Sequence, residues 1–457
     1  MNKDGTIRQI ILPERDFWKN VFCFAIPIAL QNLSVALFGI IDVSIISNMG
    51  EVAVSAVSLA NEVFYVASVV TFGIASGASV LLSRNYGAGN HGEFKKSFAA
   101  MVFICILVNS LVMILSFAVP ERLLALYTDE KAVMEAGVIY LIITAPTNVC
   151  YGIAYSIATF FRSVYKPAVP MIVSLVTVMI KTGLNVVLIY GMGPIPEMGV
   201  TGAAIATLLA KILEMVLYII FLLRFREKKY CFRLADFRRL NRGVLGVYLK
   251  ETAPVIITES MWGLGISSYN MIFGRMGVVA VSAVSVAQKL ESLCYAFYQG
   301  LGVGACVTIS SIIGRNKREE AKLTAKRYVV VVLEVGLLIM LLMLCCNHVY
   351  VDTFFKSLTV ETRTVSKYLI AVYALYMPFR SLGSLLIIGV LRAGGDSKYA
   401  MYCDVLSMYA WALSVGFLLG IVFKLPITVV VTAMMFKRVI KCVFALKRFF
   451  SGKWLKI

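Results

Sequence analysis

Seven acids (Asp42, Glu62, Glu214, Glu259, Glu291, Glu334, Asp404) and four bases (Lys181, Lys211, Lys289, Arg380) interrupt stretches that are otherwise almost uncharged. If those stretches lie in a bilayer, each charge costs at least ~2.5–3.5 kcal/mol and needs a partner or a task. Asp42, in the run LFGIIDVSIIS, has a task open to any carboxylate in low dielectric: to load a proton or small cation and release it again. The competing reading is a static ion pair. Lys181 and Asn185 stand four residues apart, on one face if their segment is helical. If that face turns inward, Lys181 can pair with Asp42. Coupling ion or solute would then compete with the lysine for the carboxylate.

The remaining charges divide by spacing. Lys211 and Glu214 are three apart and are expected to pair locally. Glu62 and Lys289, flanked by Asn61 and Gln288, stand 227 residues apart. They either attract across a central cleft or pair within their own halves; the residues leave both open. Glu291, Glu334 and Asp404 have no partner that spacing can name.

Composition identifies what must position these groups. The chain has 457 residues, 60% hydrophobic and 15% charged, with a mean hydropathy of +0.85. Soluble domains are nearer ~45–50% apolar and ~25% charged. Apolar stretches of about 20 residues recur throughout, as bilayer-spanning helices require. The net charge of +19 suggests nucleic acid, but its placement argues against that partner. Lys and Arg concentrate in the termini and alternate loops, while the intervening loops carry only Arg122, Lys131, Arg275, Lys356, Arg363 and Lys424. Positive charge held on the cytoplasmic side explains the asymmetry and puts both termini there, in a multi-pass protein of the cell membrane. The polar N-terminus shows no removable signal segment. Ten cysteines are scattered without metal-like spacing, and the two histidines, His91 and His348, fall in expected loops. No metal or other cofactor is expected.

Twelve spans can be drawn, from Trp18–Ser47 to Leu425–Leu446. They fall into two related sets. Val52–Ala60 reads VAVSAVSLA and Val279–Ala287 reads VAVSAVSVA. In the same register Pro27 meets Pro254, Met49-Gly50 meets Met276-Gly277, Gly77 meets Gly304 and Gly87 meets Gly314. Such Pro and Gly matches mark special backbone positions, so they indicate duplication. The expected organisation is a six-helix lobe over 1–225, a basic linker over 226–243 and a second six-helix lobe over 244–457. Six spans is an even number, so the lobes are parallel repeats about an axis along the membrane normal, with solute held between them. Pro27 and Pro254, and Pro146 and Pro378, mark expected helix kinks, either fixed or bending between states.

Several segments carry a family resemblance: IPIALQNLSVALFGIIDVSIISNMGEVAVSAVSLA, GIASGASVLLSRNYGAGN, FRSVYKPAVP, NVVLIYGMGPIPEMGVTGAAIATLLA and GVLRAGGDSKYA. Together the chain resembles the multidrug and toxic compound extrusion (MATE) family. The resemblance implies an all-α integral membrane fold, twelve transmembrane helices in two pseudo-twofold-related six-helix bundles. It also implies export of small organic, commonly cationic amphipathic compounds, driven by protons or sodium ions. Asp42 matches the family's span-1 Asp, which resembles a proton or cation acceptor. Lys181 departs from a position that is usually neutral, and Asn185 falls where some relatives carry Asp. In the sodium-coupled branch, spans 7 and 10 carry acids. Here Glu259 lies about a turn from the first place and Arg380 stands near the second. Glu259 facing Arg380 would neutralise each other, which favours protons over sodium.

The leading reading is therefore a cation-coupled antiporter working by alternating access. Its ion-coupling residues are Asp42, Lys181 and Asn185; its cavity or substrate residues are Asn61, Glu62, Glu259, Gln288, Lys289 and Arg380. The expected partners are a small-molecule substrate, a proton or sodium ion and membrane lipids, with the protein a monomer. Four bases within the spans also admit an anionic substrate. The alternative is a flippase for lipid-linked saccharide precursors, using Lys181, Lys289 and Arg380 on pyrophosphate. An enzyme would need a convergent set such as a Ser/His pair, and the spans contain no histidine.

Overall fold

The computed structural model describes residues 15–128, 130–191, 196–225, 227, 229–230, 234–356 and 358–456. The polar N-terminal stretch, read as lacking a signal segment, lies mostly outside these residues, as does part of the basic linker. Within them the chain is helical and has no strand.

The first six spans are Arg15–Ser47, Glu51–Gly87, His91–Ala118, Lys131–Thr144 with Thr147–Ser163, Ala168–Tyr190 and Gly199–Leu223. The second six are Arg242–Arg275, Val278–Gly314, Arg318–Phe354, Val360–Leu375 with Met377–Leu391, Ser397–Val422, and Ile427–Met435 with Lys437–Phe450. Among the described residues, seven helices are long and apolar enough to cross a membrane singly, and three bent pairs raise the number to ten. The other two are diluted. Span 7 carries Thr258, Glu259, Ser267, Ser268 and Asn270; span 12 breaks at Phe436 and carries Lys437, Arg438 and Lys441. Several helices outrun the expected spans, span 9 reaching from Arg318 to Phe354, so His348 lies in a helix and not in a loop.

The repeat is visible in the backbone. Spans 2 and 8 are each 37 residues long. Their N-caps, Gly50 and Gly277, have φ/ψ of 98°/171° and 103°/171°, a region open at little cost only to glycine. Gly77 and Gly304 recur for a packing reason. A Cβ on Gly77 would come within 2.8 Å of Thr252 Cβ, and one on Gly304 within 2.8 Å of Phe24 Cβ. Each glycine lets the early part of span 7 or span 1 lie close against span 2 or span 8.

Packing groups the chain into two compact units, one of Leu30–Ile256 and one of Met1–Ala29 with Ile257–Ile457. The two changes of unit fall in spans 1 and 7, three residues beyond Pro27 and three beyond Pro254. In the Leu30–Ile256 unit, Phe94, Phe98, Phe160, Phe161 and Tyr218 form a tight aromatic core. Tyr230 of the linker joins it, its ring 5.1 Å from that of Phe94. Burial first, then the neighbouring Glu227, raises the Tyr230 hydroxyl pKa above its ordinary value. That part of the linker is thus anchored to the bundle. In the other unit, spans 1, 8, 9, 10 and 12 supply the buried side chains Phe24, Tyr298, Tyr328, Tyr373 and Phe449.

Pro146 and Pro378 stand at breaks where spans 4 and 10 each bend by 46°. A missing N–H and a ring clash at proline account for both. Pro27 and Pro254 lie inside helices that run without a break. Span 8 bends by 41° between Tyr295 and Tyr298, with no proline there. Leu385–Leu391, Ser407–Leu413 and Leu418–Val422 are wound as π-helix. Gly389 sits in the first of these, and a Cβ on it would lie 3.0 Å from Ala305 Cβ and 3.1 Å from Gly302 O.

Candidate functional site

Spans 1, 2, 4, 5 and 6 enclose a cavity of about 180 Å³ inside the Leu30–Ile256 unit. Its lining is Gly39, Asp42 and Ile46 of span 1, Val54, Val57, Ser58 and Asn61 of span 2, Tyr140, Lys181, Asn185, Ala203 and Thr207. Ile46 and Val57 of its lining belong to a buried apolar cluster that also includes Leu141 and Ile189.

Asp42 is 8% exposed and has three polar partners on span 5. Lys181 Nζ donates to Oδ2 at 2.7 Å, Asn185 Nδ2 to Oδ1 at 2.9 Å and Thr182 Oγ1 to Oδ1 at 3.4 Å. The helical spacing of 181 and 185 aims both side chains at one carboxylate. Such a pair is stable in low dielectric only while both members are present and correctly placed. Asn185 Oδ1 is buried without a hydrogen-bond partner among the described residues, which leaves an acceptor on the cavity wall. Tyr140 Oη and Thr207 Oγ1 lie 3.5 Å apart on the same wall. The cavity can hold several waters at ~30 Å³ each, but it is smaller than the ~300–1,000 Å³ usual for drug-sized ligands. It suits a hydrated ion or a proton with its waters.

Asn61 is brought to this cavity; Glu62 is not. Glu62 is exposed and has no ion-pair partner among the described residues. Lys289 is also exposed, its ammonium 5.9 Å from the centre of the Phe355 ring, and no carboxylate pairs with it among the described residues. Gln288 hydrogen-bonds Tyr373. Lys211 and Glu214 form the expected local pair at 2.7 Å.

Glu259 and Arg380 do not face each other as pictured from the sequence. Glu259 pairs with Arg392 at 2.8 Å, and Arg392 is 2% exposed. Arg380 pairs with Glu291, which also accepts from Arg438 Nη2 at 2.5 Å. Asp404 pairs with Lys441 at 2.6 Å. The sequence reading missed Arg392, Arg438 and Lys441. Arg392 served there only as part of a loop signature. The run KRVIKC placed 437, 438 and 441 at helical spacing, and that was the available signal. Among the described residues no group of three or more His, Cys, Asp or Glu could hold a metal ion.

The MatE family model matches residues 27–190 and 254–418. Over 454 residues the chain is 24% identical to the probable multidrug resistance protein NorM of Thermotoga maritima, covering 96% of this chain and 93% of that one. It is 22% identical over 429 residues to multidrug and toxin extrusion protein 1 of Oryctolagus cuniculus, covering 92% and 73%. In fold it is similar to the crystal structure of a mutant of the Vibrio cholerae MATE transporter VcmN, with a TM-score of 0.84, 16% identity and 96% of each chain covered.

Proposed function

The chain belongs to the MatE family, and from that premise we propose that it is a cation-coupled antiporter that exports small organic compounds by alternating access. The observation that carries the coupling is the Asp42–Lys181 pair in the wall of a water-sized cavity. With Asp42 ionised, Lys181 and Asn185 satisfy it and hold spans 1 and 5 together. A proton arriving at Asp42 cancels the attraction and leaves the lysine charge without its partner. That state is costly in low dielectric, so the spans rearrange until the proton leaves on the other side. One charge crossing ~100 mV releases about 2.3 kcal/mol for this work.

Protons are favoured over sodium because three of the second unit's span acids, Glu259, Glu291 and Asp404, are each held by Arg or Lys. Glu62 and Lys289 are open on their own units and uncommitted to an opposite charge. They are proposed, with Asn61 and Gln288, as solute-facing groups. Under this reading the protein is a monomer in the cell membrane. The Lys/Arg bias puts both termini in the cytoplasm, and the linker over 226–243 divides the repeats.

The test is dye transport in proteoliposomes under an imposed pH gradient. Asp42→Asn should abolish acceleration by the gradient, and varying sodium at fixed pH should leave the rate unchanged. A rate that follows sodium, or gradient-driven transport surviving in D42N, would sink the proposal.

A further inference from the structure

The coupling scheme leaves a second buried charge network unused. It lies in the unit that contains Ile257–Ile457. Arg380 of span 10 and Arg438 of span 12 both reach one oxygen of Glu291, Oε1, with Arg438 Nη2 at 2.5 Å. Glu291 is 5% exposed and Arg438 7%. Arginine stays protonated in proteins. One carboxylate against two guanidiniums therefore leaves a positive charge uncancelled at depth. Asp404 is engaged elsewhere, by Lys441. Lys437, next in sequence to Arg438, donates to the neutral Tyr269 hydroxyl at 2.6 Å.

Donor capacity is in excess as well. Arg438 Nη1 and Tyr298 Oη are both buried with no hydrogen-bond partner among the described residues. An orphaned buried donor costs about 1–3 kcal/mol, more when charged, so two in one place call for an acceptor. Aromatic rings frame the donors. The Arg380 guanidinium lies 5.1 Å from the centre of the Tyr295 ring and that of Arg438 5.2 Å from Tyr373. Tyr295 meets Tyr298 edge-on with centroids 4.9 Å apart. The Arg380 side chain, 24% exposed, gives the network access from outside the unit.

We propose that Arg380, Arg438 and Tyr298 form a binding site for the carboxylate of an aromatic organic anion. Its oxygens take the unused Arg438 and Tyr298 donors and compete with Glu291 for the guanidiniums. The tyrosine rings take its apolar body. The site names a class of solute and rests on the transport reading only for what happens after binding.

The test is thermal unfolding of the purified full-length protein in detergent, titrated with benzoate, with sodium chloride and tetraethylammonium chloride as controls. Benzoate is expected to raise the midpoint saturably while neither control does so at equal concentration. Arg380→Gln should weaken the benzoate response about tenfold or more, as loss of a charged hydrogen bond does. Glu291→Gln removes the internal competitor and should strengthen it several-fold. Tyr298→Phe deletes a hydroxyl with no internal partner, keeps the fold and should weaken the response about tenfold. No saturable benzoate response, an equal response to chloride, or weakening by Glu291→Gln would overturn the proposal. Binding is read without any gradient, so failure here leaves the Asp42 coupling standing, and failure of Asp42→Asn to uncouple transport leaves this site standing.

Discussion

Asp42 and Lys181 are each the condition on which the other can be buried. Lys181→Met removes the group that competes with the coupling ion for the carboxylate. The pH profile of proteoliposome transport is therefore expected to change; an unmoved profile would mean that the lysine plays no part in coupling. Stability should show the same dependence. In a double-mutant cycle measured by thermal unfolding, D42N and K181M together are expected to cost less than the sum of the singles, by about 0.5–3 kcal/mol. Arg392 and Glu259 form a drier pair, 2% and 8% exposed. Arg392→Met alone should cost about 3–5 kcal/mol, and adding Glu259→Met should recover much of it. Equal losses in the single and double variants would show that the pairing carries no energy.

At the scale of elements, what the sequence made legible follows from what a helix fixes locally. Spacing alone sets Lys211–Glu214, and the pair forms. Proline chemistry is local too, and spans 4 and 10 break at Pro146 and Pro378. The Val-Ala-Ser repeat starts spans 2 and 8 at equivalent glycines. Charges on different spans are another matter. A span that is apolar nearly all round has no polar face to fix its rotation, so the choice of Arg392 over Arg380 for Glu259 could not be read from period or offset. The π segments and the bend in span 8 between Tyr295 and Tyr298 carry no local sequence signal either; at Gly389 a close approach to Gly302 O accompanies one of them. The paired glycines make the same point testable. Gly77→Val and Gly304→Val should each cost about 1–3 kcal/mol by overpacking against Thr252 and Phe24. Thermal unfolding of the two variants checks this, and unchanged midpoints would show that the neighbouring helix yields freely.

At the scale of the molecule, two six-span repeats are joined by a basic linker with Tyr230 seated in the aromatic core. A break at residue 228 leaves the start of span 7, which completes the Leu30–Ile256 unit, on the second fragment, so it is the informative one. Co-expressed fragments split there should assemble and transport, whereas the N-terminal fragment alone should be degraded; survival of that fragment as a stable species would contradict the packing assignment. The reason lies in how the compact units draw on the chain: one runs from Leu30 to Ile256, and the other joins Met1–Ala29 to Ile257–Ile457. A nascent chain that has just left the ribosome through its sixth span still lacks Tyr248 and Thr252, so the groove at Gly77 stands empty. Residues 15–29 wait for helices not yet translated. Maturation is thus ordered by synthesis itself: neither half can be finished, or pass the cell's quality control, before the other has begun.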